Sequence, residues 1–287
     1  MAAPLPSAFA AMIAPFCSPE AGPGDGPFQS INLEGIRAAA GHMGISPREA
    51  MAFCLEHDVW PLRFARNRGV FNAGEQRRLL GSRVAVIGCG GLGGHVITLL
   101  ARAGVGAFTL CDFDGFDESN LNRQLLCREE YLGRNKAEAA RKELHRIASH
   151  ADVRVFTEKA EPDNLAEILR DADSVVDCLD SLKTRRHVAA AAGSAGISFI
   201  YGSVAGEEGF AMAASPGDKS LDAFLGDGAA PDACGAELRL GVPTLTPAAL
   251  AVLQARLALH LLAGRTLEKR YLHHLDLSGP MLELLSL

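Results

Sequence analysis

A glycine-rich segment between a short apolar strand and a helix-like stretch most constrains how this 287-residue chain can fold. The strand is Val84–Ile87, and the segment that follows runs Gly88-Cys-Gly-Gly-Leu-Gly-Gly94. Glycines permit a tight turn and let a phosphate approach main-chain N–H groups at a helix N-terminus. The spacing of Gly88, Gly90 and Gly93 therefore predicts a nucleotide site, which by itself suits ATP and a dinucleotide equally.

The order of elements after residue 82 predicts the fold class. Strands are predicted at 83–87, 107–112, 152–156, 174–178 and 197–201, and helices at 92–103, 135–149, 163–171 and 182–195. Strands that alternate with helices form βαβ units around a parallel sheet, and ligands bind at the carboxyl ends of such strands. We therefore predict an α/β, Rossmann-like fold with a mostly parallel sheet flanked by helices.

Composition divides the chain into two predicted domains. Residues 1–60 are predicted to be a flexible leader followed by a small helical extension, whose second helix starts at Ser46 with Glu49 completing a capping box. Residues 61–287 form the nucleotide-binding domain. Within it, residues 206–243 are rich in Gly, Asp and Ala, which predicts a long loop of functional use or disorder.

Charge, hydropathy and cysteine spacing exclude several classes of protein. A net charge of -6 argues against broad nucleic-acid binding. The sequence lacks an uninterrupted apolar run of about 18 residues, so no membrane partner is predicted. The seven cysteines form no Cys-x-x-Cys pair. This absence excludes a zinc ribbon and a thioredoxin-like motif. Cys89, Cys111 and Cys178 lie in apolar strand or loop contexts, so they are predicted to be small buried hydrophobic side chains in a reducing cytosol, which implies a cytoplasmic protein.

An acidic residue ends the second predicted strand. Asp112 lies 19 residues after Gly93, where a carboxylate can accept hydrogen bonds from ribose hydroxyls. Asp114 could do the same, or it could cap a turn. Neither residue distinguishes NAD from ATP.

The polar and basic cluster that follows does distinguish between reactions. Hydride transfer has no need of Asn120, Arg123, Gln124 and Lys136 after the second strand, whereas phosphoryl or nucleotidyl transfer does. Arginine offers a planar fork to phosphate oxygens and lysine a compact charge. Together they stabilise charge that develops on an α-phosphate and on departing pyrophosphate. For Lys136 alone, the alternative is a solvated helix face.

Two aspartates follow the fourth predicted strand. Asp180 lies farther beyond the apolar run than Asp177, so we favour Asp180 as a Mg²⁺ ligand beside a triphosphate. The alternative for Asp180 is a cap on the helix that follows.

Taken together, these motifs resemble the ThiF/MoeB/HesA family, the bacterial relatives of the ubiquitin-activating enzymes. The motifs are Gly88-Cys-Gly-Gly-Leu-Gly93, Asp112-Phe-Asp114, Ser119-Asn-Leu-Asn-Arg-Gln124, Lys136, Asp177-Cys-Leu-Asp180 and, upstream, Arg63-Phe-Ala-Arg-Asn67. Their separations also match, with 11 residues from Asp112 to Arg123, 13 from Arg123 to Lys136 and 44 from Lys136 to Asp180. The resemblance covers roughly residues 60–275.

The resemblance implies an MgATP-dependent adenylyltransferase domain. Its substrate would be the C-terminal Gly-Gly tail of a ubiquitin-fold sulfur carrier, used in thiamine or molybdopterin synthesis, and a sulfur donor such as a cysteine desulfurase would be a further partner. Arg66 would reach the phosphates of the partner subunit in a homodimer, and the 206–243 loop would clasp the tail. The implied nucleotide-binding residues are Gly88, Gly90, Gly91, Gly93, Asp112, Asp114, Ser119, Asn120, Arg123, Gln124, Lys136 and Asp180. Arg66, Arg123, Lys136 and Asp180 would be catalytic.

The chain departs from the family pattern at several positions. The family's two Cys-x-x-Cys pairs are absent, so no structural zinc is expected. Ser181 stands where Asn is common, and Phe210 where Gln often lies. Cys234 lies where some relatives place a sulfur-handling cysteine, and the alternative is an incidental loop cysteine.

Three alternative functions stay open from the sequence. The first is ATP-dependent activation of another peptide C-terminus or of a tRNA carbonyl, although the acidic net charge weakly disfavours tRNA. The second is an NAD-dependent oxidoreductase, which leaves Arg123, Lys136 and Asp180 without roles. The third is a non-catalytic scaffold, which the presence of all expected catalytic residue types disfavours.

Overall fold

The chain forms two compact units. The computed structural model describes residues 6–22, 26–218, 220–226, 236–267, 271–279 and 281–286. The first unit comprises residues 1–82 with 103–106, and the second comprises 83–102 with 107–287. The division falls at Ser82 and not at the predicted residue 60, because helix α4 (Ala73–Gly81) packs on helix α3 (Pro47–Glu56) within the first unit.

The first unit contains a small sheet as well as the predicted helices. Its remaining elements are α1 (Ser7–Ile13), α2 (Leu33–Met43), β1 (Cys17–Glu20), β2 (Phe28–Ile31) and β3 (Val59–Pro61). Strand β2 pairs antiparallel with β1 and parallel with β3. The predicted capping box of α3 is confirmed, because the Ser46 N–H donates to Glu49 Oε2 at 2.8 Å and the Glu49 N–H donates to Ser46 Oγ at 3.2 Å.

The second unit is built on a sheet that has eight strands within the described residues. The strands are β4 (Arg83–Ile87), β5 (Ala107–Cys111), β6 (Asp152–Phe156), β7 (Ser174–Asp177), β8 (Ser198–Ala205), β9 (Glu208–Ala214), β10 (Tyr271–Asp276) and β11 (Met281–Ser286). Their order is β11-β10-β9-β8-β7-β4-β5-β6. The pairs from β6 to β8 are parallel, and those from β8 to β11 are antiparallel. The predicted Rossmann-like α/β class is confirmed.

Helices connect the strands of this sheet and flank it. They are α5 (Gly91–Ala103), α6 (Lys136–Ile147), α7 (Leu165–Ile168), α8 (Leu182–Ala195), α9 (Ser220–Leu225), α10 (Glu237–Leu240) and α11 (Leu245–Leu262). Helix α7 is shorter than the predicted 163–171. The predicted 206–243 loop contains strand β9, because Gly206 turns the chain at φ +59° and β9 then pairs with β8.

Helix α11 is a long apolar helix of the second unit. Its 18 residues have a mean hydropathy of 1.5, which by length and composition alone is enough to cross a membrane, and half of that window is buried. The helix packs against β8 and β9, where Leu250, Ala251 and Gln254 are fully buried. Its apolar side chains therefore form part of the core beside the sheet.

Candidate active site

A cavity of about 600 Å³ opens at the carboxyl ends of the parallel strands, within the second unit. Most of the predicted nucleotide-binding residues line it. They are Gly88, Gly90, Gly91, Asp112, Asp114, Arg123, Gln124, Lys136 and Asp180. Gly93, Ser119 and Asn120 are not among its lining residues. Arg66 belongs to the first unit, where it lies in the 3-10 turn Leu62–Asn67 with an exposed side chain.

The glycines of the loop after β4 serve close packing as well as access to the cavity. Gly88 has φ +93°, and a Cβ there would lie 2.5 Å from the carbonyl oxygen of Cys178. A Cβ on Gly93 would lie 1.9 Å from the carbonyl oxygen of Gly88. Since helix α5 begins at Gly91, the loop leads directly into a helix N-terminus that faces the cavity. Gly93 thus permits the tight closure of the loop and does not itself line the cavity.

Asp112 is a buried carboxylate on the cavity wall, at the end of β5. Its Oδ2 accepts a hydrogen bond from the Cys89 N–H at 2.7 Å, and its Oδ1 accepts one from the Asp114 N–H at 2.9 Å. Burial raises the pKa of Asp112 above its ordinary value, although both hydrogen bonds act to lower it. The carboxylate therefore faces the cavity in a fixed orientation.

Lys136 is the first residue of α6 and projects a buried cation to the cavity. Its Nζ lies 3.2 Å from Asp114 Oδ2, and its N–H donates to the Asp114 carbonyl oxygen at 2.9 Å. The side chain of Lys136 is only 10% exposed, which excludes the solvated-face alternative considered from the sequence.

Arg123 is held by the polar segment that surrounds it. Its Nη1 donates to the Ser119 carbonyl oxygen at 2.9 Å and to Asn122 Oδ1 at 3.0 Å. The buried Asn120 Oδ1 accepts from the Asp117 N–H at 3.2 Å. Ser119 and Asn120 therefore shape the turn that orients Arg123, and neither lines the cavity.

Gln124 presents an unsatisfied polar atom beside the glycine loop. It is buried, and within the described part of the chain its Oε1 has no hydrogen-bond partner. A Cβ placed on Gly90 would lie 3.4 Å from Gln124 Nε2, so the amide packs directly over that glycine. A buried acceptor of this kind is available to a ligand in the cavity.

The structure separates the roles of the two aspartates at and beyond the end of β7. Asp177 is fully buried and its Oδ2 lies 2.7 Å from Arg185 Nε. Burial raises the pKa of Asp177 to about 6, although the nearby Arg185 cation acts to lower it. Asp180 is exposed and lines the cavity. Asp180 is therefore the carboxylate that can reach a bound ion.

The exposed carboxylate at the edge of the cavity fits a Mg²⁺ ion that also binds substrate phosphates. No group of three His, Cys, Asp or Glu side chains in the described ranges could hold a metal ion. Mg²⁺ is commonly held by one or two carboxylates together with substrate phosphates and water. Asp180 supplies such an oxygen donor at the edge of the cavity.

Several lining residues were missed by sequence reasoning. Arg185 and Tyr201 form part of the wall, with the guanidinium carbon 4.5 Å from the ring centre. Glu158 and Lys159 follow β6 and also line the cavity. The position of Glu158 and Lys159 just after a predicted strand could have identified them, because the carboxyl ends of parallel strands share one edge. Arg185 lies inside a helix pattern, which gave no such signal.

A second wall of the cavity comes from the antiparallel half of the sheet and the chain beyond it. It includes Ser203 and Val204 of β8, Phe210 of β9, Leu240 and Val242. Phe210 stacks on His274 with ring centres 4.7 Å apart. This wall is mainly apolar, in contrast to the charged wall that the glycine loop faces.

The cysteines near the cavity are not activated thiols. Cys89 and Cys111 are buried as predicted, whereas Cys178 is half-buried and lines the cavity. Burial raises the pKa of all three thiols, because it disfavours the thiolate. Cys234 lies outside the described residues, so its sulfur-handling role stays a prediction.

Comparison with known proteins decides the family. The profile of the ThiF family matches residues 64–284. The chain belongs to the ThiF family. That match contains every residue that lines the cavity.

Two bacterial relatives of this chain are named as adenylyltransferases. The chain is 36% identical over 202 residues to the sulfur carrier protein ThiS adenylyltransferase of Bacillus subtilis, covering 67% of this chain and 58% of that protein. It is 36% identical over 139 residues to the molybdopterin-synthase adenylyltransferase of Escherichia coli, covering 48% of this chain and 56% of that protein. The chain thus spans little more than half the length of these relatives.

Solved structures show the same fold. Escherichia coli MccB with AMPCPP and MccA superposes with a TM-score of 0.64 at 20% identity, covering 78% of this chain and 71% of that one. PaaA superposes with a TM-score of 0.60 at 22% identity, covering 74% and 66%.

Proposed function

We propose that this ThiF-family protein uses MgATP to adenylylate the C-terminal Gly-Gly carboxylate of a ubiquitin-like sulfur carrier, in thiamine or molybdopterin-type cofactor biosynthesis. One observation supports this proposal above others: Arg123, Lys136 and Asp180 line one cavity with the glycine loop. Two cations and an available carboxylate beside a phosphate-binding loop suit nucleotidyl transfer, and an NAD-dependent oxidoreductase would not need them.

The charged wall would bind the nucleotide. Main-chain N–H groups of the glycine loop and of the start of α5 would meet the phosphates, and Asp112 would accept hydrogen bonds from the ribose hydroxyls. Asp180 would hold Mg²⁺ together with phosphate oxygens, and the bound ion would neutralise charge on those oxygens. Gln124 Oε1 is a further acceptor for a nucleotide donor group.

Arg123 and Lys136 would stabilise the reacting phosphates. A carboxylate oxygen of the acceptor would attack the α-phosphorus, forming an acyl-adenylate, while the bond to the bridging oxygen breaks and pyrophosphate leaves. Negative charge develops on the pyrophosphate and on the α-phosphate oxygens, where fixed cations lower the barrier. Since Lys136 is already buried and paired with Asp114, its ammonium needs little reorganisation to meet that charge.

The apolar wall would receive the acceptor. Val204, Phe210 and Val242 offer surface without fixed charge, which suits a slim uncharged tail whose terminal carboxylate points at the α-phosphate. The names of the relatives from Bacillus subtilis and Escherichia coli, a ThiS and a molybdopterin-synthase adenylyltransferase, support a sulfur carrier as that acceptor.

The assembly and the setting of the reaction extend the proposal. The protein would act as a homodimer in which Arg66 reaches the phosphates of the partner subunit's site. A cysteine desulfurase would deliver sulfur to the adenylated carrier, and nucleic acid and membrane would take no part. The reaction would occur in the cytoplasm.

ATP–pyrophosphate exchange tests the proposal directly. Purified protein would be incubated with Mg²⁺, ATP and labelled pyrophosphate, with and without small Gly-Gly-ending proteins of the same genome. Exchange that requires one of these proteins would support adenylylation and identify the carrier. A matched carrier that lacks its last two glycines is the control and should give no exchange.

Other outcomes point to other functions. Exchange with a peptide that does not end in Gly-Gly, or with tRNA, would replace the carrier with another acceptor. An absence of exchange with every carrier, combined with tight NAD binding, would favour an oxidoreductase and contradict the proposal.

A further inference from the structure

Arg185 makes an unusual set of contacts on the wall of the cavity. Its guanidinium side chain is 3% exposed, and its Nε lies 2.7 Å from Asp177 Oδ2. Its Nη2 donates to the Leu179 carbonyl oxygen at 2.5 Å and to the Gly202 carbonyl oxygen at 3.0 Å. One side chain of α8 therefore joins the end of β7, the segment that leads to Asp180, and strand β8.

The segment before Asp180 is also held by the end of β4 and by the glycine loop. The Cys178 N–H donates to the Ile87 carbonyl oxygen at 2.9 Å, and the Leu179 N–H donates to Asp177 Oδ1 at 3.0 Å. The Cys178 carbonyl oxygen also packs closely against Gly88, because a Cβ on that residue would lie 2.5 Å from this oxygen. Cys178 and Leu179, which precede Asp180, are thus clamped by the end of β4, the glycine loop and Arg185.

Two neighbours complete the clamp around Arg185. Tyr201 stacks against the guanidinium at 4.5 Å from the ring centre. Gln254 of α11 donates through Nε2 to the Asp177 carbonyl oxygen at 2.8 Å. Residue 202 must be glycine for this contact, because a Cβ there would lie 2.3 Å from Gln254 Nε2. Arg185 is therefore committed to protein groups and leaves little surface for a substrate.

A buried ion pair costs desolvation energy, and apolar residues of the same volume can often replace it without loss of stability. The Arg185–Asp177 pair therefore calls for an explanation other than stability, and the contacts of Arg185 with the segment before Asp180 supply one. We propose that Arg185 is a positioning residue, which acts through Asp177 and the Leu179 carbonyl to hold the Asp180 carboxylate toward the cavity. This inference rests on the proposed function, in which Asp180 meets the metal ion of MgATP.

The test removes the clamp without leaving a buried charge unpaired. Arg185→Met alone would strand the Asp177 carboxylate, so the main variant is Asp177→Asn with Arg185→Met. Arg185→Lys is the second variant, because it keeps a cation near Asp177 but cannot reproduce the planar fork to two carbonyls. Lys183→Met is the matched control, since Lys183 is an exposed cation of the same helix outside the cavity lining.

Two readouts are compared in each variant. Mn²⁺ binding is measured by electron paramagnetic resonance in the presence of a non-hydrolysable ATP analogue, and the Mg²⁺ concentration at half-maximal pyrophosphate exchange is measured separately. We expect the Mn²⁺ concentration at half-maximal binding and the Mg²⁺ concentration at half-maximal exchange, the two metal midpoints, each to rise by about tenfold or more in the double variant. A loss of this size is typical when a group that orients a metal ligand is removed. The affinity for metal-free ATP and the thermal midpoint of unfolding should change little.

The outcomes separate the two proposals. A double variant that folds and keeps both metal midpoints within the range of Lys183→Met would overturn the role of Arg185. Should the double variant fail to fold, Arg185→Lys decides instead, because unchanged metal midpoints there would also contradict the role. A parent protein that shows no exchange with any carrier refutes the proposed function itself.

Discussion

At the scale of residues, the cavity already contains the charges that a triphosphate needs. Lys136 is paired with Asp114, Arg123 is braced by main-chain and side-chain oxygens, and Asp180 is exposed at the edge of the cavity. Fixed charges of this kind need no rearrangement when charge develops during a reaction. The charged side chains of the cavity therefore form a preorganised site and not one that a ligand must assemble.

Removal of either key charge should abolish adenylate formation. Arg123→Ala removes a cation that would meet the phosphates, and Asp180→Ala removes the carboxylate that would hold Mg²⁺. Because neither side chain supports the core, both variants should keep their thermal unfolding midpoint. The measurement is carrier-dependent pyrophosphate exchange with calorimetry alongside, and Arg141→Ala, an exposed arginine of α6, is the control. Near-normal turnover in either variant would contradict the assigned roles.

Because of Glu143, the free energy of unfolding of the second unit should decrease when the pH becomes acidic. Burial raises the pKa of Glu143, but hydrogen bonds from Arg128 and Tyr131 lower it more, so the net value lies below the ordinary 4.5. Its stabilising contribution is therefore present above about pH 4.5 and is lost as the pH falls through the lowered value. Glu143→Gln should lower the free energy of unfolding by about 1–3 kcal/mol at pH 7.

The measurement is urea unfolding of the parent and of Glu143→Gln from pH 3 to pH 7. The difference between them should narrow below about pH 4.5. Glu138→Gln, which removes an exposed carboxylate of the same helix, should differ little from the parent at any pH. A difference for Glu143→Gln that stays constant with pH would show that its ionised form is not what stabilises the fold.

At the scale of elements, the loop between β4 and α5 depends on backbone contact. Gly93→Ala would place a methyl group 1.9 Å from the Gly88 carbonyl oxygen. The loop or helix must then shift, which should cost roughly 1–3 kcal/mol of unfolding free energy and weaken nucleotide binding. Thermal unfolding and equilibrium binding of an ATP analogue measure the two effects.

A glycine in the exposed part of α8 provides the contrast. A Cβ added to Gly193 would meet no neighbouring heavy atom within 4 Å, and the φ angle of Gly193 is not positive. Gly193→Ala should therefore stabilise the fold by up to about 1 kcal/mol, because alanine loses less backbone entropy in a helix. If both glycine variants changed stability alike, steric contact at Gly93 would not be the cause.

The sequence predicted the parallel half of the fold well because its elements carry strong local signals. Strands β4, β5 and β7 are short, largely apolar runs with helix patterns after them in the chain, and in the first unit Ser46 marks the start of α3. Strand β9 was missed because its Gly- and Ala-rich composition looks like a loop. Its strand form depends on pairing with β8, which directly precedes it, and with β10, which lies far along the chain.

The candidate site was predictable where residues follow strand ends or belong to the polar and basic cluster that includes Arg123 and Lys136. Asp112 and Asp180 come directly after apolar runs, so the sheet edge brings them together. Arg185, Tyr201 and Gln254 were not identified, because their meeting depends on how α8 and α11 pack on the sheet. Such contacts leave no periodic pattern in the sequence.

At the scale of the whole molecule, the proposed role of Arg66 requires two subunits. Arg66→Ala and Asp180→Ala should each inactivate a homodimer. If Arg66 acts across subunits, a heterodimer of the two variants regains one site with both residues intact. A statistical mixture should then recover about a quarter of the parent activity.

Co-expression of the two variants with different purification tags allows heterodimers to be isolated and assayed for exchange. The matched control mixes Asp180→Ala with Arg123→Ala, because both residues line the cavity of one subunit and mixing leaves each site defective. Mixtures of Arg66→Ala and Asp180→Ala that stay inactive would contradict action across subunits.

The reversal of strand direction at β8 has an evolutionary consequence. Most charged residues that line the cavity precede residue 203 in the chain, and the apolar wall comes from residue 203 onward, where Glu208 is a charged exception. Under the proposed function, a single recombination event within β8 would exchange the stretch that would face the acceptor, while the stretch that would bind the nucleotide is inherited whole. Diversification of acceptors among proteins with this sheet would then need one crossover and no simultaneous change at dispersed positions.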